Sequence, residues 1–122
     1  RQMQTHKIEP QKWQSTFDSL SRIYDGATAS VEILDPQIGA QMEVEDQPLR
    51  GISYDTSGIE IHFTTRDGRH LVHIIPHPKQ VMLEEGEGGL LSALQIESSD
   101  DPRAILRFRS PVASKLLPSA SE

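Results

Sequence analysis

Histidines are the side chains in this sequence whose type and spacing could support metal or ligand chemistry. Four of the five histidines lie in residues 59–90, a stretch that also has the densest alternation of β-branched residues. Imidazole is a common ligand of transition metals and a common proton carrier near neutral pH. We therefore expect any binding site to lie in this stretch.

A predicted hairpin in this stretch determines which histidines meet. Asp67-Gly68 is typical of a two-residue turn, because it supplies positive φ angles. Such a turn pairs His62 with His73, so that both imidazoles lie on one face of the sheet and can share a metal. A carboxylate, Glu84 or Glu60, would complete the ligand set if the sheet bends it towards the histidines.

The other histidines are placed less favourably for a shared metal. His70 and His73 are three residues apart, so a regular strand points them to opposite faces. His77 lies between two prolines, where the chain must turn a corner. The candidate ligand-binding residues are therefore His62, His73, His77 and Glu84. We favour the alternative that these histidines are partly exposed and hydrogen-bond locally, with no bound metal and no cofactor.

None of the candidate catalytic motifs is complete. The segment 55–58, Asp-Thr-Ser-Gly, differs from the Asp-Thr-Gly of aspartic proteases by an inserted serine, and a turn is sufficient to explain it. Ser53 lacks the second glycine of a nucleophile elbow. The glycine-rich loop 85–89 lacks the ligand spacing of a calcium loop and the lysine of a phosphate-binding loop. We therefore predict no catalytic residue.

The Asp67-Gly68 turn also assigns the side chains of the hairpin to two faces. The core face contains Ile61, Phe63, Val72 and Ile74, and the other face contains His62, Thr64, Leu71 and His73. The turn sets Arg66 opposite Arg69, an unfavourable pair that suggests a slightly longer loop. A symmetric lengthening keeps this pairing, whereas a bulge changes it.

One helix is predicted before the strands. Pro10 suits a first helical position, Gly26 suits the stop, and apolar residues between them recur at i, i+4, i+7 and i+11. These apolar residues are Trp13, Phe17, Leu20 and Tyr24. Period-two strand patterns outside the hairpin follow at residues 29–34, 40–45, 52–54, 80–84, 90–97 and 104–109. On the last strand we expect Arg103, Arg107 and Arg109 to be paired with carboxylates or solvated, and the alternative is that they bind an acidic partner or ligand.

The order of these elements predicts an α+β fold. An N-terminal amphipathic helix is followed by a bent, mostly antiparallel sheet or small open barrel of about six to seven short strands. Residues 8–112 are predicted to form a single domain. Residues 1–7 and 113–122 are predicted to be flexible termini.

Composition and charge restrict the partners. The 122 residues carry a formal net charge of −6, which disfavours nucleic acids and anionic membranes. Cysteine is absent, so disulfides, thiolate metal sites and a cysteine nucleophile are excluded. We expect a cytoplasmic protein.

Four motifs together resemble a family of small, mostly bacterial proteins classified as a domain of unknown function. The motifs are Trp13-x-x-x-Phe17-Asp18, Gly51-Ile-Ser-Tyr-Asp55, His77-Pro78-Lys79-Gln80-Val81 and the segment 85–96 with Glu-Gly-Glu-Gly-Gly-Leu-x-Ser-x-Leu-x-Ile. The resemblance spans residues 8–112 and implies one compact domain without an established activity. Lys79 and Gln80 depart from the family's His-Pro-Arg-Glu-Ile pattern. His77 matches this pattern, whereas His62 is particular to this chain.

The leading functional hypothesis is a non-enzymatic binding or protein-interaction domain, which self-associates through an exposed sheet edge. Its basis is the lack of a complete catalytic motif in a chain rich in short strands. The alternative is a protein that binds a small ligand or a metal through the histidines of the central hairpin.

Overall fold

The described part of the chain contains one α-helix and eight β-strands. The computed structural model describes residues 4–99 and 102–113, the last four of them by backbone alone. In chain order the elements are β1 (Gln4–Ile8), a 3₁₀ turn (Pro10–Lys12), α1 (Trp13–Ile23), β2 (Thr28–Asp35), β3 (Gly39–Asp55), β4 (Gly58–Thr64), β5 (His70–Ile75), β6 (Pro78–Glu85), a second 3₁₀ turn (Glu87–Gly89), β7 (Leu90–Ser98) and β8 (Arg103–Ala113). The chain is therefore α+β, as predicted.

All eight strands form one open antiparallel sheet in the order β1-β6-β7-β8-β2-β3-β4-β5. Only two residues, Pro76 and His77, connect β5 at one edge to β6 next to the other edge. Six strand spacings of about 4.8 Å amount to roughly 29 Å in a flat sheet. A two-residue link spans only about 10 Å. The sheet must therefore curve back on itself.

The sheet has eight strands rather than the predicted six to seven, and two of them differ from the predicted segments. Residues 40–45 and 52–54, which were predicted as separate strands, belong to the single 17-residue strand β3. Pro48 lies inside β3, where the strand leaves its last β2 partner, Thr28, and takes β4 as its neighbour from Leu49 onward. The missing N–H of proline is tolerated at such a change of partner.

The second difference is β1, which the sequence did not predict. Residues 4–7 were assigned to a flexible terminus, but the structure pairs β1 with β6 from Gln4 opposite Glu85 to Ile8 opposite Val81. Ile8 is buried, and Trp13 Nε1 donates a hydrogen bond to its carbonyl at 2.9 Å. Ala113, predicted to begin the flexible C-terminal segment, lies in β8 opposite Leu90. The remaining predicted flexible segments, residues 1–3 and 114–122, lie outside the described residues.

Helix α1 buries the aromatic face that its sequence predicted. Trp13, Phe17, Leu20 and Tyr24 are each at most 3% exposed. Pro10 starts the 3₁₀ turn that precedes the helix rather than the helix itself. The helical segment ends before Gly26, which has a φ of +86°. In the described part of the chain, no helix is long and apolar enough to cross a membrane.

Beyond Pro48, β3 no longer pairs with β2, and the helix and the residues after it cover the edge of β3 opposite β4. Ser21 Oγ accepts a hydrogen bond from the Ile52 N–H at 2.9 Å and lies 3.2 Å from the Ile52 carbonyl oxygen. The Leu49 N–H donates to the Ala27 carbonyl at 2.8 Å, and the Gly26 N–H donates to the Leu49 carbonyl at 2.7 Å. The second half of β3 is therefore not open to another strand.

The central hairpin has a register one residue away from the predicted register. His62 lies opposite Val72, and His73 lies opposite Ile61. The loop is longer by one residue on one side: the Thr65 N–H donates to the Arg69 carbonyl, and Gly68 adopts a φ of +91°. This is the bulged alternative, which shifts the pairing.

The register shift changes which residues of β5 face the core. The predicted core face contained Val72 and Ile74, but Ile74 is 51% exposed. Leu71, His73 and Ile75 lie opposite the buried residues of β4 instead. Leu71 remains 37% exposed, because it lies near the open end of the edge strand.

Candidate functional site

The outward face of β3, β4 and β5 gathers four polar side chains. Ser53 lies opposite Glu60 on the neighbouring strands β3 and β4. His62 follows two residues after Glu60, so that both point to the same side of the sheet. His70 is diagonal to His62, because the residue opposite His62 is Val72. Together Ser53, Glu60, His62 and His70 form the histidine cluster.

The two imidazoles of the histidine cluster face each other. His62 Nδ1 lies 3.3 Å from His70 Nε2. The rings are nearly parallel, with an angle of 17° between their planes and 5.5 Å between their centroids. The second nitrogen of His62, Nε2, lies 3.2 Å from Glu60 Oε1 and 3.4 Å from Ser53 Oγ. His62 therefore has a polar neighbour at each ring nitrogen.

This arrangement is not a catalytic triad. In a triad the nucleophile and the carboxylate contact opposite nitrogens of the imidazole, so that the carboxylate orients the base towards the nucleophile. Here Ser53 and Glu60 both approach Nε2 of His62, and the opposite nitrogen faces His70. The geometry therefore does not activate Ser53 as a nucleophile.

The predicted set of ligand-binding residues is not brought together. The predicted pairing of His62 with His73 is wrong, because the bulged loop places them on opposite faces of the hairpin. His77 lies in the link between β5 and β6, with a φ of +51°. Glu84 is on β6, and four strands separate β6 from β4 in the sheet. Of the four residues, only His62 belongs to the histidine cluster.

Glu84 belongs to a network of polar side chains on β6, β7, β8 and β2. It is 7% exposed. Gln95 Nε2 donates to its Oε2 at 2.7 Å, and the Arg107 guanidinium lies 3.4 Å from its Oε1. Arg107 also contacts Glu32 at 3.2 Å. These partners satisfy a nearly buried carboxylate across β6, β7, β8 and β2.

The other two arginines of the last strand are paired as predicted. Arg103 contacts Glu97 at 2.6 Å, and Arg109 contacts Asp46 at 2.6 Å. The sequence predicted such pairs from the alternation of the arginines, but it could not name the carboxylates. These depend on the strand order, which places β8 between β7 and β2.

A shallow groove lies at one end of the sheet, away from the histidine cluster. Its volume is about 850 Å³. It is lined by the β2–β3 turn, the start of β6 and the facing ends of β7 and β8. Its charged residues are Asp35, Lys79, Glu97 and Arg103. None of the predicted ligand-binding residues lines it. Among the described residues, no group of three or more His, Asp or Glu side chains has an arrangement that could hold a metal.

Sequence reasoning did not place His70 beside His62. The signals for it were the unfavourable Arg66–Arg69 pair and the glycine two residues before His70, which together indicate a bulged loop. A bulged loop shifts the register by one residue, and this shift brings His70 rather than His73 beside His62.

The stability of the fold should depend on the protonation of His73. Burial lowers the pKa of His73 below its usual value, and the Glu43 carboxylate offsets part of this effect. The unfolded chain then binds the proton more tightly, so the free energy of unfolding should fall as the pH drops below about 6.5, the ordinary pKa of histidine. The variant H73Q lacks this dependence. We expect the stability advantage of the wild type over H73Q to shrink between about pH 7.5 and about pH 5 in urea unfolding. Parallel stability profiles of the two proteins would contradict this prediction.

Comparisons with known proteins give a family but no activity. The model of a family of unknown function, DUF5335, matches residues 4–117. An uncharacterized protein of Aquifex aeolicus (strain VF5) is 36% identical over 110 residues, which cover 88% of this chain and 94% of the relative. No solved structure matches the chain significantly. The family that the sequence motifs resembled is thus confirmed: the chain belongs to the family of unknown function DUF5335.

Proposed function

We propose that this chain is a non-enzymatic protein-interaction domain that associates with a second copy through the free edge of β5. The observation that carries the proposal is that this edge is unpaired and partly apolar. Among the described residues, β5 pairs with β4 alone, which leaves one side of its backbone without a neighbouring strand. Leu71 and Ile74 on this strand are 37% and 51% exposed.

The other edge of the sheet differs in chemistry. Strand β1 carries Lys7 and the exposed polar residues Gln4 and Thr5. Lysine and polar side chains on an edge strand oppose pairing with another sheet, because pairing would remove their hydration. Strand β5 contains no Asp, Glu, Lys or Arg. The edge at β5 is therefore the one suited to strand addition.

A second copy fits this edge by symmetry. Two β5 strands related by a two-fold axis perpendicular to the sheet run antiparallel and keep both outward faces on one side. Val72 and Ile74 then lie opposite outward residues of the other copy, and Leu71 lies opposite inward residues. The net charge of −6 opposes association between copies through acidic surfaces. At β5 no formal negative charge lies on the pairing strand.

The proposal includes the setting in which the domain works. Absence of cysteine fits a reducing compartment, so we place the domain in the cytoplasm. The negative net charge supports a protein partner rather than a nucleic acid. We further propose that residues 8–112 act as one domain, since the buried apolar residues between Ile8 and Phe108 form a single cluster.

Substitution of Ile74 by lysine tests the proposed dimer. Ile74 is half exposed in the single chain, so I74K should keep the fold, but in the dimer it would place a charge at the pairing edge of each copy. Loss of the cross-strand isoleucine contacts and the added charge on each copy predict a roughly tenfold or greater weakening of the dimer. Sedimentation equilibrium over a range of protein concentrations measures this change.

The variant T5K is the matched control, because it adds the same charge to the opposite edge strand. We expect wild type and T5K to dimerise alike, and I74K to be monomeric at the same concentrations. A wild type that stays monomeric throughout the range, or an I74K variant that dimerises as tightly as wild type, would overturn the proposal.

A further inference from the structure

We propose that His62 and His70 form a binding site for a divalent transition-metal ion, held between Nδ1 of His62 and Nε2 of His70. The ion belongs to the class that imidazole prefers, which includes Zn²⁺, Cu²⁺ and Ni²⁺. This inference goes beyond the proposed self-association and does not depend on it, because the two imidazoles lie on one face of a single hairpin.

The separation of the two nitrogens fits a shared metal. Zinc binds imidazole nitrogen at about 2.0–2.1 Å, and two such ligands at a tetrahedral angle lie roughly 3.3 Å apart. His62 Nδ1 and His70 Nε2 are 3.3 Å apart. With 5.5 Å between the centroids and 3.3 Å between the nitrogens, the two nitrogens face each other head-on, so the exposed His70 ring must turn away from this line to aim its lone pair at an ion held by His62. The β4–β5 ladder fixes the two Cα positions, so binding requires no rearrangement of the backbone.

Glu60 supports the tautomer that such a site needs. A metal-binding histidine usually donates its other N–H to a carboxylate, which fixes the ring and leaves the metal-binding nitrogen unprotonated. Glu60 Oε1 lies 3.2 Å from Nε2 of His62, on the side of the ring away from His70. The nearby carboxylate charge favours a proton on Nε2, which leaves the lone pair of Nδ1 facing His70. Glu60 is a positioning residue and not a ligand.

The metal-free contact is compatible with this assignment. Without an ion, the Nε2–H of His70 donates to Nδ1 of His62 across the same 3.3 Å. When an ion binds, His70 carries its proton on Nδ1 instead, and both facing nitrogens become ligands.

Two protein ligands make this an open and exchangeable site. The described residues supply no third ligand, so water fills the remaining positions. The affinity should follow the general order for divalent ions, with Cu²⁺ bound more tightly than Ni²⁺. His70 is exposed, which gives the ion direct access from solvent.

Calorimetric titration of the metal-free protein with Zn²⁺ tests the site, with electron paramagnetic resonance of the Cu²⁺-loaded protein as a second measurement. We expect one Zn²⁺ equivalent in wild type, and at least a tenfold loss of affinity in both H62Q and H70Q. The Cu²⁺ spectrum should show coupling to two imidazole nitrogens in wild type and to fewer in either variant. Variant E60Q keeps both ligands and should weaken binding by about tenfold.

The matched control is H73Q, which removes a histidine from the same hairpin but from its opposite face. It should bind Zn²⁺ like wild type. Circular dichroism of each variant verifies that the fold is retained. Absence of Zn²⁺ binding in wild type, unchanged affinity in H62Q and H70Q, or an equal loss in H73Q would overturn the proposal.

Discussion

Replacement of Tyr24 by alanine is expected to lower the free energy of unfolding by about 3–5 kcal/mol, as large-to-small substitutions of buried aromatic residues do. Tyr24 is 1% exposed at the end of α1. Its ring stacks on Phe108 of β8, with 3.9 Å between centroids and 11° between planes. Y24A would remove the contact that holds the end of the helix to β8 and leave a cavity in the core.

A phenylalanine at the same position separates the ring from its hydroxyl group. Tyr24 donates a hydrogen bond to the Leu91 carbonyl of β7 at 3.3 Å. Y24F keeps the stacked ring, so it should cost only about 0.5–1.5 kcal/mol, the usual net contribution of one hydrogen bond. Chemical denaturation measures both variants. If Y24A cost no more than Y24F, the stacked ring would not be an anchor of the helix.

The helix was predictable because its signal is local. Trp13, Phe17, Leu20 and Tyr24 repeat with the period of a helix, and tertiary packing agrees with this period by burying all four. The same holds for the first half of β2, where Ala29 and Val31 are buried between less buried neighbours. In these elements local preference and the final fold favour the same conformation.

The central hairpin was not predictable to the same degree, because its faces depend on a single residue of loop length. A two-residue loop and a bulged loop both contain Asp67-Gly68, but they place His73 on different faces. In the structure Thr65 hydrogen-bonds to both Asp67 and Arg69, which stabilises the bulged form. The histidine cluster therefore follows from the loop and not from the strand pattern.

Strands β1 and β3 depended on information that lies elsewhere in the chain. The segment Gln4–Ile8 has only one buried residue, Ile8, so its pattern does not indicate a strand. The segment forms a strand because it pairs with the edge of β6. Residues 40–45 and 52–54 suggested two strands, but they belong to one strand whose neighbour changes at Pro48. Sheet order is a non-local property, and a pattern of local preferences cannot determine it.

Substitution of Gly58 by alanine is expected to destabilise the fold by roughly 2–6 kcal/mol, the sum of a strained backbone and an overpacked contact. Gly58 begins β4 with a φ of +125°. An added Cβ would lie 2.3 Å from the Ile75 carbonyl oxygen and 2.9 Å from the Pro76 Cα. Both atoms belong to the backbone of the corner between β5 and β6, so no side chain can move to relieve the contact.

The variant G39A is the matched control for this close approach. Gly39 also has a positive φ, +86°, but no atom lies within 4 Å of an added Cβ. G39A should therefore show only the backbone cost of about 1–2 kcal/mol. Thermal and urea unfolding compare the two variants. A larger loss of stability in G58A than in G39A would support the inference that the β3–β4 turn packs tightly against the corner between β5 and β6. This packing would hold β5 and the histidine cluster in place. Equal losses would mean that the corner yields to the added methyl group, and that the position of β5 is set by its ladder with β4 alone.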